Sequence, residues 1–212
     1  DLLMYQPASR IGPGEILFAT HSKELIKGTK GDLTVMATNQ EIEVKGGMFA
    51  GRFKDDDILP APGYTEKSKQ FEEKYKGIVR AVPSGINYGS IIAGIKADKK
   101  QANNIYKDFQ IILKDLFPNN PYQKQIVQAV KNGDVKKANN LHGLANLSAY
   151  FSAKAGGMGI LFINVKGGTA TTSYAENLNQ LLDAFDLKVD TAYPITQVPL
   201  NPFPKIGVVA KQ

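Results

Sequence analysis

Residues 159–185 run Gly159-Ile-Leu-Phe-Ile-Asn-Val-Lys-Gly-Gly-Thr-Ala-Thr-Thr-Ser-Tyr-Ala-Glu-Asn-Leu-Asn-Gln-Leu-Leu-Asp-Ala-Phe185, or GILFINVKGGTATTSYAENLNQLLDAF. The apolar run Gly159–Val165 predicts a strand, Gly167-Gly168 a loop, and the stretch opening at Ser173 a helix. That order builds a phosphate site. Backbone N–H groups and the hydroxyls of Thr169, Thr171, Thr172 and Ser173 would meet an anion at a helix N-terminus.

This hydroxyl-rich loop resembles the phosphate loop of flavodoxins, which implies a flavin- or nucleotide-binding enzyme using Gly167–Ser173. The rest of the chain opposes that alternative. A doubly wound sheet needs several more parallel strands alternating with helices. The residues before the loop read as helix, few follow it, and neither GxxxxGK[ST] nor GxGxxG occurs. The expected role of the loop is therefore a helix cap through Ser173, with Glu176 three residues on and Tyr174, Leu178, Leu181, Leu182 and Phe185 on the inner face.

Upstream, the helical pattern is clear. Phe71, Tyr75, Ile78, Val79 and Val82 fall at helical spacing before Pro83. A second helix starts near Ile86 or Tyr88 and lapses at Asp98, where Gln101 completes a capping box. Ile105, Phe109, Ile112, Leu113 and Leu116 then form the strongest apolar stripe in the chain, ended by Pro118. Asn120 offers the next N-cap, Gly133 a left-handed C-terminal cap, and Asp134 immediately opens another helix running to Gly156. A glycine stop beside an aspartate start predicts a tight antiparallel pair.

The expected fold is mainly α: an antiparallel helical bundle over residues 64–188. An extended, proline-marked N-terminal arm, residues 1–63, precedes it, and an extended C-terminal tail, residues 189–212, follows. The N-terminal arm holds a candidate strand at Ile16–Ala19 and a short hairpin, with Leu33 and Val35 on one side of Thr38-Asn39-Gln40 and Ile42 and Val44 on the other. Pro60-Ala61-Pro62-Gly63 closes it.

Composition narrows the function. No cysteine is present, which removes disulfides, thiolate zinc sites, iron–sulfur clusters and cysteine nucleophiles. No apolar run approaches the roughly 20 residues of a membrane-spanning helix, so the expected location is peripheral. The chain starts at Asp1, and removal of a targeting segment from an exported or organelle-lumen protein is expected. Residues 61–155 carry 15 Lys/Arg against 7 Asp/Glu, while the remainder carries 11 against 13. A basic middle with near-neutral ends suits an acidic partner surface.

The candidate chemical groups point away from catalysis. Asp55-Asp56-Asp57 lacks EF-hand spacing and is expected to be a solvated acidic loop rather than a metal site. His21 and His142, the only histidines, show no metal-ligand spacing, and His142 sits inside a helix where packing is its expected role. The sequon Asn146-Leu147-Ser148 also falls in a helix. Pro199-Leu200-Asn201-Pro202 matches PxxP, which suits either a docking peptide or a tail packed on its own protein. No catalytic, cofactor or metal residues are assigned.

The expected function is a non-enzymatic accessory subunit that docks on a larger, membrane-associated protein complex with an acidic surface. The docking residues are Lys99, Lys100, Lys136 and Lys137 on the bundle, with Val198, Leu200 and Phe203 supplying apolar contact from the tail. An anionic membrane surface is the second candidate partner. Nucleic acid is not expected, because the aromatics lie on apolar stripes rather than among the lysines. A secreted bacterial surface or lipid-binding protein is a further alternative.

The layout of an arm ending at Pro60-Ala61-Pro62-Gly63-Tyr64 and a lysine-rich helical body closing with Ser173-Tyr-Ala-Glu-Asn-Leu-Asn-Gln-Leu-Leu182 resembles the PsbQ-type extrinsic proteins of photosystem II. That resemblance implies a soluble helical bundle of the thylakoid lumen that supports oxygen evolution in photosynthesis. The strand-like N-terminal segments and the apolar run Gly159–Val165 depart from the pattern.

Overall fold

A computed structural model of the chain describes residues 22–28, 31–46, 49–79, 85–154, 158–166, 169–189 and 193–211. The described residues fall in two compact units. One holds those up to Gly51, those of Lys154–Phe185 and those from Ala210; the other holds Arg52–Ala153 and Asp186–Val209. The expected strand Ile16–Ala19, His21 and the Gly167-Gly168 pair lie outside the described residues.

The first unit is built on a sheet. Strands β1 (Leu25–Lys27), β2 (Leu33–Val35), β3 (Gln40–Gly46), β5 (Gly159–Lys166) and β6 (Thr169–Ala175) are hydrogen-bonded in the order β1-β2-β3-β5-β6. The expected hairpin is β2–β3, with Leu33 opposite Ile42 and Val35 opposite Gln40. Asn39 turns it with a φ of 55°, a conformation that asparagine tolerates better than most residues. β3 then pairs in parallel with β5, Val44 opposite Leu161, which makes the sheet mixed.

This sheet corrects the expected fold class. The protein is α/β, not a mainly α antiparallel bundle with a few short strands. The correction turns on the stretch after Lys166. Thr169–Ala175 is an antiparallel strand against β5, Phe162 opposite Ser173 and Lys166 opposite Thr169, so two residues separate the strands. Gly-Gly is a favoured pair for a two-residue hairpin loop, and Thr-Ala-Thr-Thr-Ser-Tyr is rich in residues that favour strands. Ser173 therefore lies within a strand instead of capping a helix.

The helix begins four residues past Ser173. Asn177 is its N-cap, its Oδ1 accepting the Gln180 N–H at 3.0 Å, and α6 (Leu178–Ala184) is a short helix that buries Leu181. Phe185 already belongs to the next strand and packs its ring 5.7 Å from Phe162. The remaining strands are β4 (Phe49–Arg52), β7 (Phe185–Val189) and β8 (Lys205–Ala210), of which β7 and β8 are neighbours in a second sheet.

The second unit carries α1 (Tyr64–Lys74), α2 (Tyr88–Ala97), α3 (Ala102–Leu116), α4 (Gln123–Lys131) and α5 (Val135–Ala153). α1 stops at Lys74, so Tyr75, Ile78 and Val79 of its expected stripe pack from the turns that follow, and Val82 and Pro83 lie outside the described residues. The break at Asp98 is made by its own carboxylate, which accepts the N–H groups of Lys100 and Gln101. The α4–α5 corner closes as a Schellman turn. Gly133 has φ 74°, its N–H reaches the Val130 carbonyl, and the Asp134 N–H reaches Ala129. Asp134 then caps α5 by accepting the Lys137 N–H at 2.9 Å. The Asn120 side chain accepts the Tyr122 N–H rather than opening α4 directly, so that helix starts at Gln123 without a side-chain cap.

Ile105, Phe109, Ile112, Leu113 and Leu116 are all buried, in one core with Phe71, Tyr75, Tyr88, Ile91 and Ile126. Burying a side chain of this size contributes about 1.5–3 kcal/mol relative to leaving it in water, which is why the stripe dictates the packing of α3.

Candidate functional site

Single exposed apolar side chains are ordinary on a protein surface, but one that lines a groove with unpaired charges bears on binding. Ile111 is that residue on α3. It follows the buried Phe109 by two positions, which places it on the flank of the helix, and it is 52% exposed. It stands between two grooves, one toward α4 and one toward α1.

The groove between α3 and α4 has a volume of about 530 Å³. Ile111, Leu113 and Val127 supply its apolar lining, and Lys107, Lys114 and Lys124 its charge. Two glutamines complete the wall, and no carboxylate lines it. Among the described residues these three lysines form no ion pair. Lys124 also lies in the first turn of α4, which has no acidic residue and no side-chain cap. A helix N-terminus carries partial positive charge, so a lysine there is disfavoured by about 0.3–1 kcal/mol. The groove thus concentrates uncompensated positive charge around an apolar floor.

The groove between α1 and α3 is different. Its lysines already have partners: Lys67 Nζ lies 2.6 Å from Asp115 and Lys74 Nζ 2.7 Å from Asp108. Asp108 also accepts the Tyr75 hydroxyl at 2.7 Å. Partial burial would raise the Asp108 pKa, but these two hydrogen bonds outweigh it and hold the carboxyl below its ordinary value. This side of Ile111 is electrically balanced.

Lys99 and Lys100 sit exposed in the turn after α2, and Lys136 and Lys137 exposed in the first turn of α5. The Lys96 side chain lies against the Gly133 turn, which brings the end of α2 beside the start of α5. None of these four lysines forms an ion pair among the described residues. Sequence reasoning singled out these pairs because adjacent lysines stand out in a string. It missed Lys114, Lys124 and Ile111, whose signal is one lysine seven residues after another with an off-stripe isoleucine between them.

The tail residues are placed otherwise. Residues 193–204 run along the helical unit as a strap, exposed over 193–197 and buried from Val198 to Leu200. Val198 is 3% and Leu200 8% exposed, while Phe203 is half-buried. Four side chains hold the strap by its carbonyls. Asn139 donates to Ile195, His142 Nε2 to Asn201, Asn146 to Pro202, and the Tyr64 hydroxyl to Leu200. Asn139, His142 and Asn146 are three and four residues apart, so they share one face of α5. Room for the strap is made at Gly89, where a Cβ would lie 2.2 Å from the Thr196 carbonyl oxygen. Val198 and Leu200 are covered by this chain's own residues.

The remaining candidates take ordinary places. Asp55 caps a short 3-10 turn at Asp56–Ile58 by accepting the Asp57 N–H. Among the described residues no group of three acidic, histidine or cysteine side chains could hold a metal ion. Asn146 of the sequon is buried and its amide is engaged with the Phe53 and Pro202 carbonyls. Among the described residues no helix is long and apolar enough to cross a membrane. No family model, curated protein or solved structure matches the chain.

Proposed function

We propose that the protein is an accessory subunit that binds rather than catalyses, docking the basic surface of its helical unit on an acidic protein assembly. The observation that carries this reading is the set of exposed lysines that form no ion pair among the described residues, at the α3–α4 groove and at Lys99, Lys100, Lys136 and Lys137. Clustered like charge contributes nothing to folding and raises the association rate with an oppositely charged surface. The partner is named by its chemistry, an acidic protein surface that meets these lysines.

The test is a salt series on the native assembly. The protein should co-migrate with a larger complex at about 0.1 M salt and be released at about 1 M, where the Debye length falls to roughly 3 Å. Protein with Lys99, Lys100, Lys136 and Lys137 reversed to Glu should fold normally and rebind the salt-stripped complex more slowly. Migration as a free species at low salt, or rebinding indifferent to charge reversal, would overturn the reading.

A further inference from the structure

The α3–α4 groove carries more information than a basic patch, because its charges and its apolar floor are spaced. We infer that it receives an acidic amphipathic helix of a partner protein, with carboxylates seven residues apart flanking an apolar pair. The inference rests on the docking reading above and gives it a specific site and a partner motif.

Lys107, Ile111 and Lys114 follow each other at four and three residues, so they line one face of α3. At 1.5 Å per residue the two lysines are spaced about 10 Å along the axis. A helix lying alongside α3 meets them with residues at i and i+7. The residues at i+3 and i+4 then fall beside Ile111 and enter the groove lined by Leu113 and Val127. Lys124, across the groove on α4, faces the flank of the same helix.

Charge complementarity selects the occupant. All three cations of this groove lack an ion-pair partner among the described residues, whereas both lysines of the α1–α3 groove are neutralised by Asp115 and Asp108. The two grooves share Ile111 but differ in charge, and only the α3–α4 groove offers unpaired cations to an anionic ligand. Shape favours a protein segment over a bilayer. Leu113 and Val127 lie between two helices with lysines around them and Ile111 exposed at the edge, which suits an inserted ridge of side chains. A bilayer is met by a protruding apolar face.

The probe is a helix-stapled peptide containing Glu-x-x-Leu-Leu-x-x-Glu, which presents the same pattern in either direction, tested against the full chain by fluorescence anisotropy. Its scrambled isomer and phosphatidylserine vesicles are the comparison ligands. The peptide should bind better than the scramble, and K107E/K114E should weaken binding about tenfold, by loss of two exposed ion pairs and gain of repulsion. A peptide with Lys at both Glu positions should recover affinity for K107E/K114E and lose it for the unaltered chain. I111S should weaken binding with the charges intact, and K188E, at an exposed lysine of β7, should leave it unchanged. Equal binding of the scramble, no rescue by the charge-swapped peptide, or lysine-dependent binding to vesicles in place of peptide would overturn the inference. If the peptide fails while the native assembly still shows salt- and charge-dependent docking, this groove is excluded and the docking reading stands.

Discussion

His142 gives its Nε2 proton to the backbone carbonyl of Asn201, 2.7 Å away. A carbonyl can only accept, so the ring is the Nε2-protonated tautomer. Its Nδ1 is then free to accept the Tyr88 hydroxyl at 2.9 Å. One buried imidazole thereby ties α2, α5 and the returning strap together, with the Phe117 ring edge-on at 4.8 Å between centroids.

This arrangement makes stability depend on pH. Burial lowers the His142 pKa from 6.5 to about 4, against the opposing pull of the Asn201 carbonyl. The unfolded chain therefore takes up the proton first as pH falls. The contribution is complete above pH 6.5, declines between 6.5 and 4, and amounts to about 3 kcal/mol over that window. Urea unfolding at a series of pH values should show this slope, and His142→Gln should flatten it whatever it costs at neutral pH.

The strap predicts a second effect. Asn146→Ala removes the donor to the buried Phe53 carbonyl and the half-buried Pro202 carbonyl and also deletes its own unpartnered Oδ1; a buried carbonyl left unsatisfied costs roughly 1–3 kcal/mol. The loss should appear as faster amide hydrogen exchange around residues 201–206 before the α3 core opens. Unchanged exchange there would show that the strap is held by packing.

On α3, two residues separated by a single position should behave oppositely. Phe109→Ala empties a fully buried site and should cost about 3–5 kcal/mol. Ile111→Ala removes a half-exposed side chain and should stay within about 0.5 kcal/mol, because the free protein gains little from it. Chemical denaturation of both variants measures the contrast.

The start of α6 tests the sheet directly. Asn177→Ala should cost about 0.5–2 kcal/mol as the lost cap. Ser173→Ala, in mid-strand opposite Phe162, should cost less. A reversal of that order would return the helix start to Ser173.

Much of the helical unit was legible because a three-and-four repeat such as Ile105–Phe109–Ile112–Leu116 has one reading, and Gly133-Asp134 marks a corner by chemistry that is local. The sheet was not, because its decisive contacts are distant in sequence. Val44 meets Leu161 in parallel only after the chain has passed through α1–α5. The same Thr and Ser hydroxyls that cap helices also populate strands, and Gly167-Gly168 reads as an anion loop or as a hairpin until its partner strand is known. The basic groove was hidden for a related reason: Lys107 and Lys114 share one helix, but Lys124 joins them only through the packing of α4.

If the basic helical unit docks as proposed, its lysines touch acidic groups of a protein partner. Zero-length carbodiimide crosslinking of the native assembly tests it most directly, because that chemistry joins lysines to carboxylates only where they touch. Intermolecular links are expected from Lys107, Lys114 and Lys124, and from Lys99, Lys100, Lys136 or Lys137, to Asp or Glu of the partner. Intermolecular links confined to the sheet unit, with none from these lysines, would contradict it.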